Sequence, residues 1–135
     1  ELDMGLLFIS HDLGIVRQLS DRIAVMYLGK VVESGVGADV WEHSAHPYTK
    51  ALIAAVPAHD GSGELPADLP GDVPDPAAPP DGCRFHPRCP VAFAPCPTVE
   101  PSLHPVPGPF GPRIAACHLF DAGTAAVPHG PSLDA

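Results

Sequence analysis

At 135 residues the chain is long enough to bury one modest core, and most of its 19 prolines fall in the second half, which leaves packed-domain periodicity to the first. A formal net charge of −9, with seven Lys and Arg spread along the length, excludes a nucleic-acid binder, since phosphate contacts need clustered basic side chains. No apolar run approaches the roughly 20 residues that cross a bilayer, and no basic and apolar signal peptide opens the chain.

In chain order, Glu1 to Gly5 reads as the tail of a preceding helix, with Gly5 as its stop. Glu1 is not an initiator Met, so further sequence is expected upstream. Leu6-Leu7-Phe8-Ile9-Ser10 is a short continuous apolar run, which predicts a strand buried on both faces of a parallel sheet. His11 then stands at the strand's carboxyl end, where open α/β sheets bind their ligands. The plainer reading is a histidine that closes a strand-to-helix turn.

Asp12 predicts an N-cap, and Leu13, Val16 and Leu19 have the spacing of a short helix ending near Ser20. Ile23 to Leu28 and Val31 to Gly35, around Gly29-Lys30, predict a β-hairpin at an edge of the sheet. A short helix follows over 37–42, then a second one that opens with Pro47 and runs to Val56. Val25, Tyr27, Val31, Val36 and Trp41 are expected to pack, with no chemistry of their own, and His43 and His46 lack partners at a metal-ligand spacing.

The sequence Gly5-Leu6-Leu7-Phe8-Ile9-Ser10-His11-Asp12-Leu13, then Ser20-Asp21-Arg22-Ile23-Ala24-Val25-Met26, then Gly29-Lys30-Val31-Val32-Glu33-Ser34-Gly35, resembles the end of the nucleotide-binding domain of ATP-binding cassette (ABC) transporters. The continuation His46-Pro47-Tyr48-Thr49-Lys50-Ala51-Leu52, and then Cys83-Arg84-Phe85-His86-Pro87-Arg88-Cys89-Pro90, resembles the C-terminal extension of the dipeptide, oligopeptide and nickel importer ATPases. Gly71-Asp72-Val73-Pro74-Asp75-Pro76 is similar to a stretch these ATPases carry ahead of their cysteines.

The resemblance implies an α/β fold: the C-terminal part of a P-loop NTPase (ABC ATPase) domain, followed by an irregular, Pro-rich, Cys-containing extension. The expected divisions are the end of the nucleotide-binding domain over 1–56, a Pro/Gly/Asp-rich linker over 57–82, the Cys-rich extension over 83–119, and a disordered tail over 120–135. His11 matches the family's switch histidine, which reaches the γ-phosphate of ATP and helps to hold the attacking water. The resemblance further implies ATP with Mg in the intact subunit and a second ABC ATPase subunit. Transmembrane permease subunits, an extracytoplasmic solute-binding protein acting indirectly, and a place at the cytoplasmic face of the membrane are implied with them. No G-x-x-x-x-G-K-[ST] loop occurs in these residues, nor the family's signature sequence or catalytic Glu, so this polypeptide alone is not expected to hydrolyse ATP.

Cys83, Cys89, Cys96 and Cys117 all follow the linker, with five, six and twenty residues between them. Thiols gathered in a core-poor segment point to a metal centre or to disulfides. Disulfides are disfavoured in a cytosolic ATPase. Zinc prefers closer ligand spacing and finds it only if His86 joins. A four-iron cluster accepts four thiolates at wider intervals and is what some ATPases resembling this chain carry on this pattern, which makes it the favoured reading, with zinc and then free thiols as the alternatives. The Gly-His pair common in the family before its last cysteine is missing from Gly111-Pro112-Arg113-Ile114-Ala115-Ala116-Cys117, which leaves the four cysteines as the simplest set. Arg84 and Arg88 are expected beside the thiolates, where their charge would stabilise an anionic centre or lower thiol pKa values, the plainer reading being ordinary solvated side chains. Two further readings differ in class: a stand-alone metal-binding or regulatory module, and a small hydrolase using His11 as a base, the latter without a Ser or Cys nucleophile motif.

Overall fold

The structure is a computed structural model that describes residues 4–56 and 71–121. Helix α1 (Leu13–Leu19) forms where the spacing predicts it. The Asp12 carboxylate accepts a hydrogen bond from the Ile15 N–H at 3.2 Å and so satisfies one of the orphan donors of the first turn. Strands β1 (Arg22–Tyr27) and β2 (Lys30–Val36) pair antiparallel, with a bulge between Val25 and Met26. Leu28 and Gly29 both have positive φ, 44° and 79°, the conformation of a type I′ turn whose twist matches that of the flanking strands. Leucine adopts it at a steric cost, and the Arg84 guanidinium donates to the Leu28 carbonyl at this corner.

Helices α2 (Gly37–Glu42) and α3 (Pro47–Ala54) follow, with Pro47 at the first position of α3. The His46 ring caps α3, its Nδ1 accepting from the Tyr48 N–H at 3.0 Å. Beyond the cysteine-bearing loops come β3 (Leu103–Val106) and β4 (Arg113–Ala116). The sheet order is β1-β2-β4-β3, and every pairing is antiparallel.

This topology corrects two expectations. Leu6 to Ser10 forms no strand, and Leu6, Leu7 and Ile9 are almost fully exposed, because a strand of a parallel sheet needs hydrogen-bonding neighbours and none of the four described strands lies beside it. The hairpin is only half an edge: β1 is terminal, but β2 pairs through Glu33 and Ser34 with β4 of the C-terminal extension. The extension is therefore a structural part of the sheet.

Alternation along β1 turns Ile23, Val25 and Tyr27 into a core shared with Val32, Val40 and Phe85. Phe85 belongs to the cysteine loop, so the extension contributes to this core as well. A second small core joins Ala45 to Val106 and Ala115, with Phe120 packed against it. Trp41 is half-buried beside Ile23 and Val25, and the Arg17 guanidinium of α1 lies 4.8 Å from its ring centroid. The linker read over 57–82 is described only from Gly71, and of the tail read over 120–135 only Phe120 and Asp121 lie within the described residues.

Candidate functional site

Three-residue turns fold the cysteine loop back on itself. The His86 N–H donates to the Cys83 carbonyl at 2.9 Å, the Cys89 N–H to His86 at 3.3 Å, the Ala92 N–H to Cys89 at 3.3 Å, and the Cys96 N–H to Phe93 at 2.9 Å. Prolines that donate no hydrogen bond and preset φ make such successive tight turns cheap. Gly82 then lets two backbones cross: its φ is +64°, and a Cβ there would stand 2.4 Å from the Cys96 carbonyl oxygen. At that crossing the Cys83 N–H donates to the Cys96 carbonyl at 2.8 Å, which brings the first and third cysteines together. Cys117 arrives from the other direction, at the end of β4.

All four cysteines are free thiols, and Cys83, Cys89 and Cys117 are each acted on electrostatically by other cysteines. Burial is the largest influence on Cys117 and pushes it up to about 11, with repulsion from Cys83, Cys89 and Cys96 adding to the effect. Burial likewise raises Cys83 and Cys89, again with repulsion from neighbouring cysteines. Opposing this, backbone N–H groups two residues ahead act on the sulfurs: Phe85 on Cys83, Val91 on Cys89 and Leu119 on Cys117. Among the described residues, no three His, Cys, Asp or Glu side chains are arranged to hold a single metal ion.

The arginines depart from expectation. Arg84 donates to the hairpin turn, and the charge of Arg88 acts on Tyr48, so the thiols rise with burial where nearby cations were expected to lower them. His11 sits in an exposed bend immediately before Asp12 and α1, with no hydrogen bond or ion pair among the described residues. It is not brought to the cysteines, and the structure divides the predicted residues into two separate places. His43 stacks on Phe110 with ring centroids 6.1 Å apart, whereas His46 is buried.

Several contacts lie beyond the sequence reading, which takes Tyr27 only as a packing residue and His46 and Tyr48 only as part of a motif. Tyr27, Tyr48 and His46 surround Phe85, with ring centroids 5.3, 5.3 and 5.9 Å from it, so the His-Pro-Tyr triplet is the seat on which the cysteine loop rests. The two motifs lie 35 residues apart or more, but an aromatic residue between two cysteines was a signal that the loop needs an apolar seat. Glu33, fully buried, accepts from the N–H groups of Ala45 and His46 at 2.8 and 2.9 Å and lies 3.7 Å from Arg113. Arg113 of β4 also donates to the carbonyls of Asp39, His43 and Pro107, and so ties the extension to both ends of α2. Beside Cys117, the His118 ring is held between Asp121, 2.6 Å away, and the Val99 carbonyl, 2.8 Å away, while His104 meets the same Asp121 at 2.8 Å.

The described residues thus form a mixed α/β unit whose sheet takes in the returning segment β3–β4, beside loops that carry free thiols. Residues 32–96 match the family model described as the C-terminal region of oligopeptide/dipeptide transporters. A probable peptide ABC transporter ATP-binding protein of Sinorhizobium fredii is 46% identical over 127 residues, which is 93% of this chain and 35% of the relative. The oligopeptide transport ATP-binding protein AppF of Bacillus subtilis is 43% identical over 124 residues, 89% of this chain and 36% of the relative. OppF of Salmonella typhimurium, also an oligopeptide transport ATP-binding protein, is 45% identical over 106 residues, 76% of this chain and 32% of the relative. The chain belongs to this family of peptide-transporter ATP-binding proteins, as their C-terminal region. It spans about a third of the length of the curated relatives it matches.

Proposed function

We propose that the chain serves as the C-terminal part of the ATP-binding subunit of a peptide importer, coupling ATP binding and hydrolysis to solute uptake. The observation that carries this reading is the similarity over 93% of the chain to a peptide ABC transporter ATP-binding protein, spanning the His11 segment, the hairpin and the cysteine loop alike. In the intact subunit, ATP with Mg is held mainly by residues outside these 135, and His11 supplies one group to that composite site. Its exposure in the bend before α1 supports such a role: an imidazole on the surface of these residues is open to a γ-phosphate and an attacking water. The subunit pairs with a second ATPase subunit and drives transmembrane permease subunits from the cytoplasmic face of the membrane. An extracytoplasmic solute-binding protein delivers the solute. None of the described helices is long and apolar enough to cross a membrane, as suits a peripheral subunit.

For the cysteines we propose a four-iron, four-sulfide cluster held by Cys83, Cys89, Cys96 and Cys117, with zinc as the alternative. What supports this reading is the chemistry of the donor set, four free thiols of which Cys83, Cys89 and Cys117 are acted on electrostatically by other cysteines; among the described residues no three are arranged to hold a metal ion. When bound, such a cluster supplies a covalent cross-link and a one-electron couple. The chain's own part is to exclude water with Phe85, to turn N–H groups toward the sulfurs, and to hold the loop on the His-Pro-Tyr seat.

The test of the ATPase reading is steady-state hydrolysis by the intact subunit in its transporter complex. His11→Ala is expected to lower kcat by about 100-fold or more, as loss of a transition-state contact does, with little change in ATP affinity. Unchanged kcat overturns the role given to His11.

A further inference from the structure

Cys96 is flanked by two contacts that lead to the same side chain. On its C-terminal side the Thr98 and Val99 N–H groups donate to the Pro95 carbonyl at 3.1 and 2.9 Å, so Cys96 sits within one closed turn that ends at Val99. On its N-terminal side the Cys96 N–H is fixed to the carbonyl of Phe93. The His118 ring meets both flanks. Its Nε2 lies 2.8 Å from the Val99 carbonyl, and the Phe93 ring packs against it nearly at right angles, with centroids 6.4 Å apart. His118 follows Cys117 directly, so one imidazole spans the gap between the fourth cysteine and the turn of the third.

The chemistry of these contacts makes the ring a support rather than a ligand. A carbonyl oxygen only accepts, so Nε2 carries a hydrogen and donates to Val99. Nδ1 is taken up by one carboxylate oxygen of Asp121 at 2.6 Å. The other oxygen of Asp121 meets His104 of β3 at 2.8 Å, which anchors the arrangement to the sheet. His118 is 3% exposed, so water replaces neither partner unless the loop opens.

We propose that His118 is a positioning residue for the cysteine centre: it latches the Cys96 turn to Cys117, with Asp121 setting the orientation of its ring. The inference rests on the reading of the four cysteines as one centre. The hydrogen bond from the Cys83 N–H to the Cys96 carbonyl carries the constraint onward, so the latch bears on three of the four cysteines.

Alkylation of each cysteine by iodoacetamide in the full 135-residue chain, reduced and free of metal, followed by mass spectrometry, tests the latch. His118→Phe keeps a ring against Phe93 and removes both polar contacts. It is expected to raise the rates at Cys96 and Cys117 about tenfold, with the rate at Cys89 little changed. That is the change in local opening controlled by one buried hydrogen bond of about 1.4 kcal/mol. His118→Gln retains an N–H for Val99 and should restore most of the protection, which a requirement for ring packing alone would not do. Asp121→Ala, at a partly exposed position, should raise the same two rates in lesser degree, and it guards against a His118 variant that unfolds. Parental rates in both His118→Phe and Asp121→Ala, a uniform rise at all four cysteines with parental circular dichroism, or no recovery with His118→Gln overturns the proposal. Iron and sulfide content of the parent keeps the two readings apart. A metal-free parent with the expected alkylation pattern overturns the cluster and upholds the latch, whereas a brown parent with unchanged alkylation in the variants overturns the latch alone.

Discussion

His46 illustrates how a residue with no assigned chemistry can govern the structure around it. It caps α3 through Nδ1, packs on Phe85 and holds its backbone N–H against Glu33. Capping by a ring nitrogen requires the neutral imidazole, and burial lowers its pKa to about 4. A histidine depressed in the folded state binds its proton more readily when unfolded, so stability is complete above pH 6.5 and is lost as the pH falls toward 4. The loss is roughly 3 kcal/mol over that window. Urea denaturation of the parent at pH 7 and pH 4, compared with His46→Asn, checks this: asparagine keeps a cap but does not titrate, so the difference between the two proteins should shrink or reverse at low pH. Parallel pH profiles would contradict the account.

Gly82 is a second decisive residue. Any side chain there meets the Cys96 carbonyl and must also adopt a positive φ. Gly82→Ala is expected to destabilise by at least about 1–2 kcal/mol from the backbone conformation alone. Loss of amide protection should be concentrated at Cys83 and Cys96 in hydrogen exchange, and protection unchanged at both would contradict the crossing described.

At the scale of elements, β4 is fastened to the hairpin by a short ladder and by the ion pair behind it. Two residue pairs link β2 to β4, whereas Arg113 reaches Glu33 and three carbonyls. Removing one partner of a buried, hydrogen-bonded pair leaves an uncompensated charge. Glu33→Ala should therefore cost about 3–5 kcal/mol in denaturant titration. In a double-mutant cycle with Arg113→Met, much of that loss should be recovered. Additive losses would show that the two side chains stabilise the sheet independently.

Elements also differ in how far they can be read from sequence. The Asp12-capped helix, the hairpin and the Pro47 helix are local, set by spacing, turn residues and caps within a few positions, and they form as predicted. Leu6 to Ile9 has the composition of a buried strand, but composition cannot supply the neighbours that such a strand needs. The return of β4 to β2 joins Ser34 to Ile114, and no periodicity marks a contact 80 positions away. The four cysteines stood out by type. The way they are brought together depends on Gly82, Phe85 and β4, and Arg84 reaches the hairpin carbonyl of Leu28. His11 was legible only as a resemblance, since an exposed histidine in a bend has no local signature.

For the whole molecule, the extension and the hairpin are parts of one sheet with a shared core. A change in the cysteine loop therefore bears on Phe85, on the His-Pro-Tyr seat and, through β2, on the part of the chain that carries His11. The central claim is that these four thiols form one centre. Its most direct test is anaerobic purification of the full chain, followed by iron and sulfide analysis and visible absorption. The account predicts brown protein with about four iron and four sulfide per chain, and loss of colour when any one of Cys83, Cys89, Cys96 or Cys117 is replaced by Ser. Colourless, metal-free protein with four titratable thiols would contradict it.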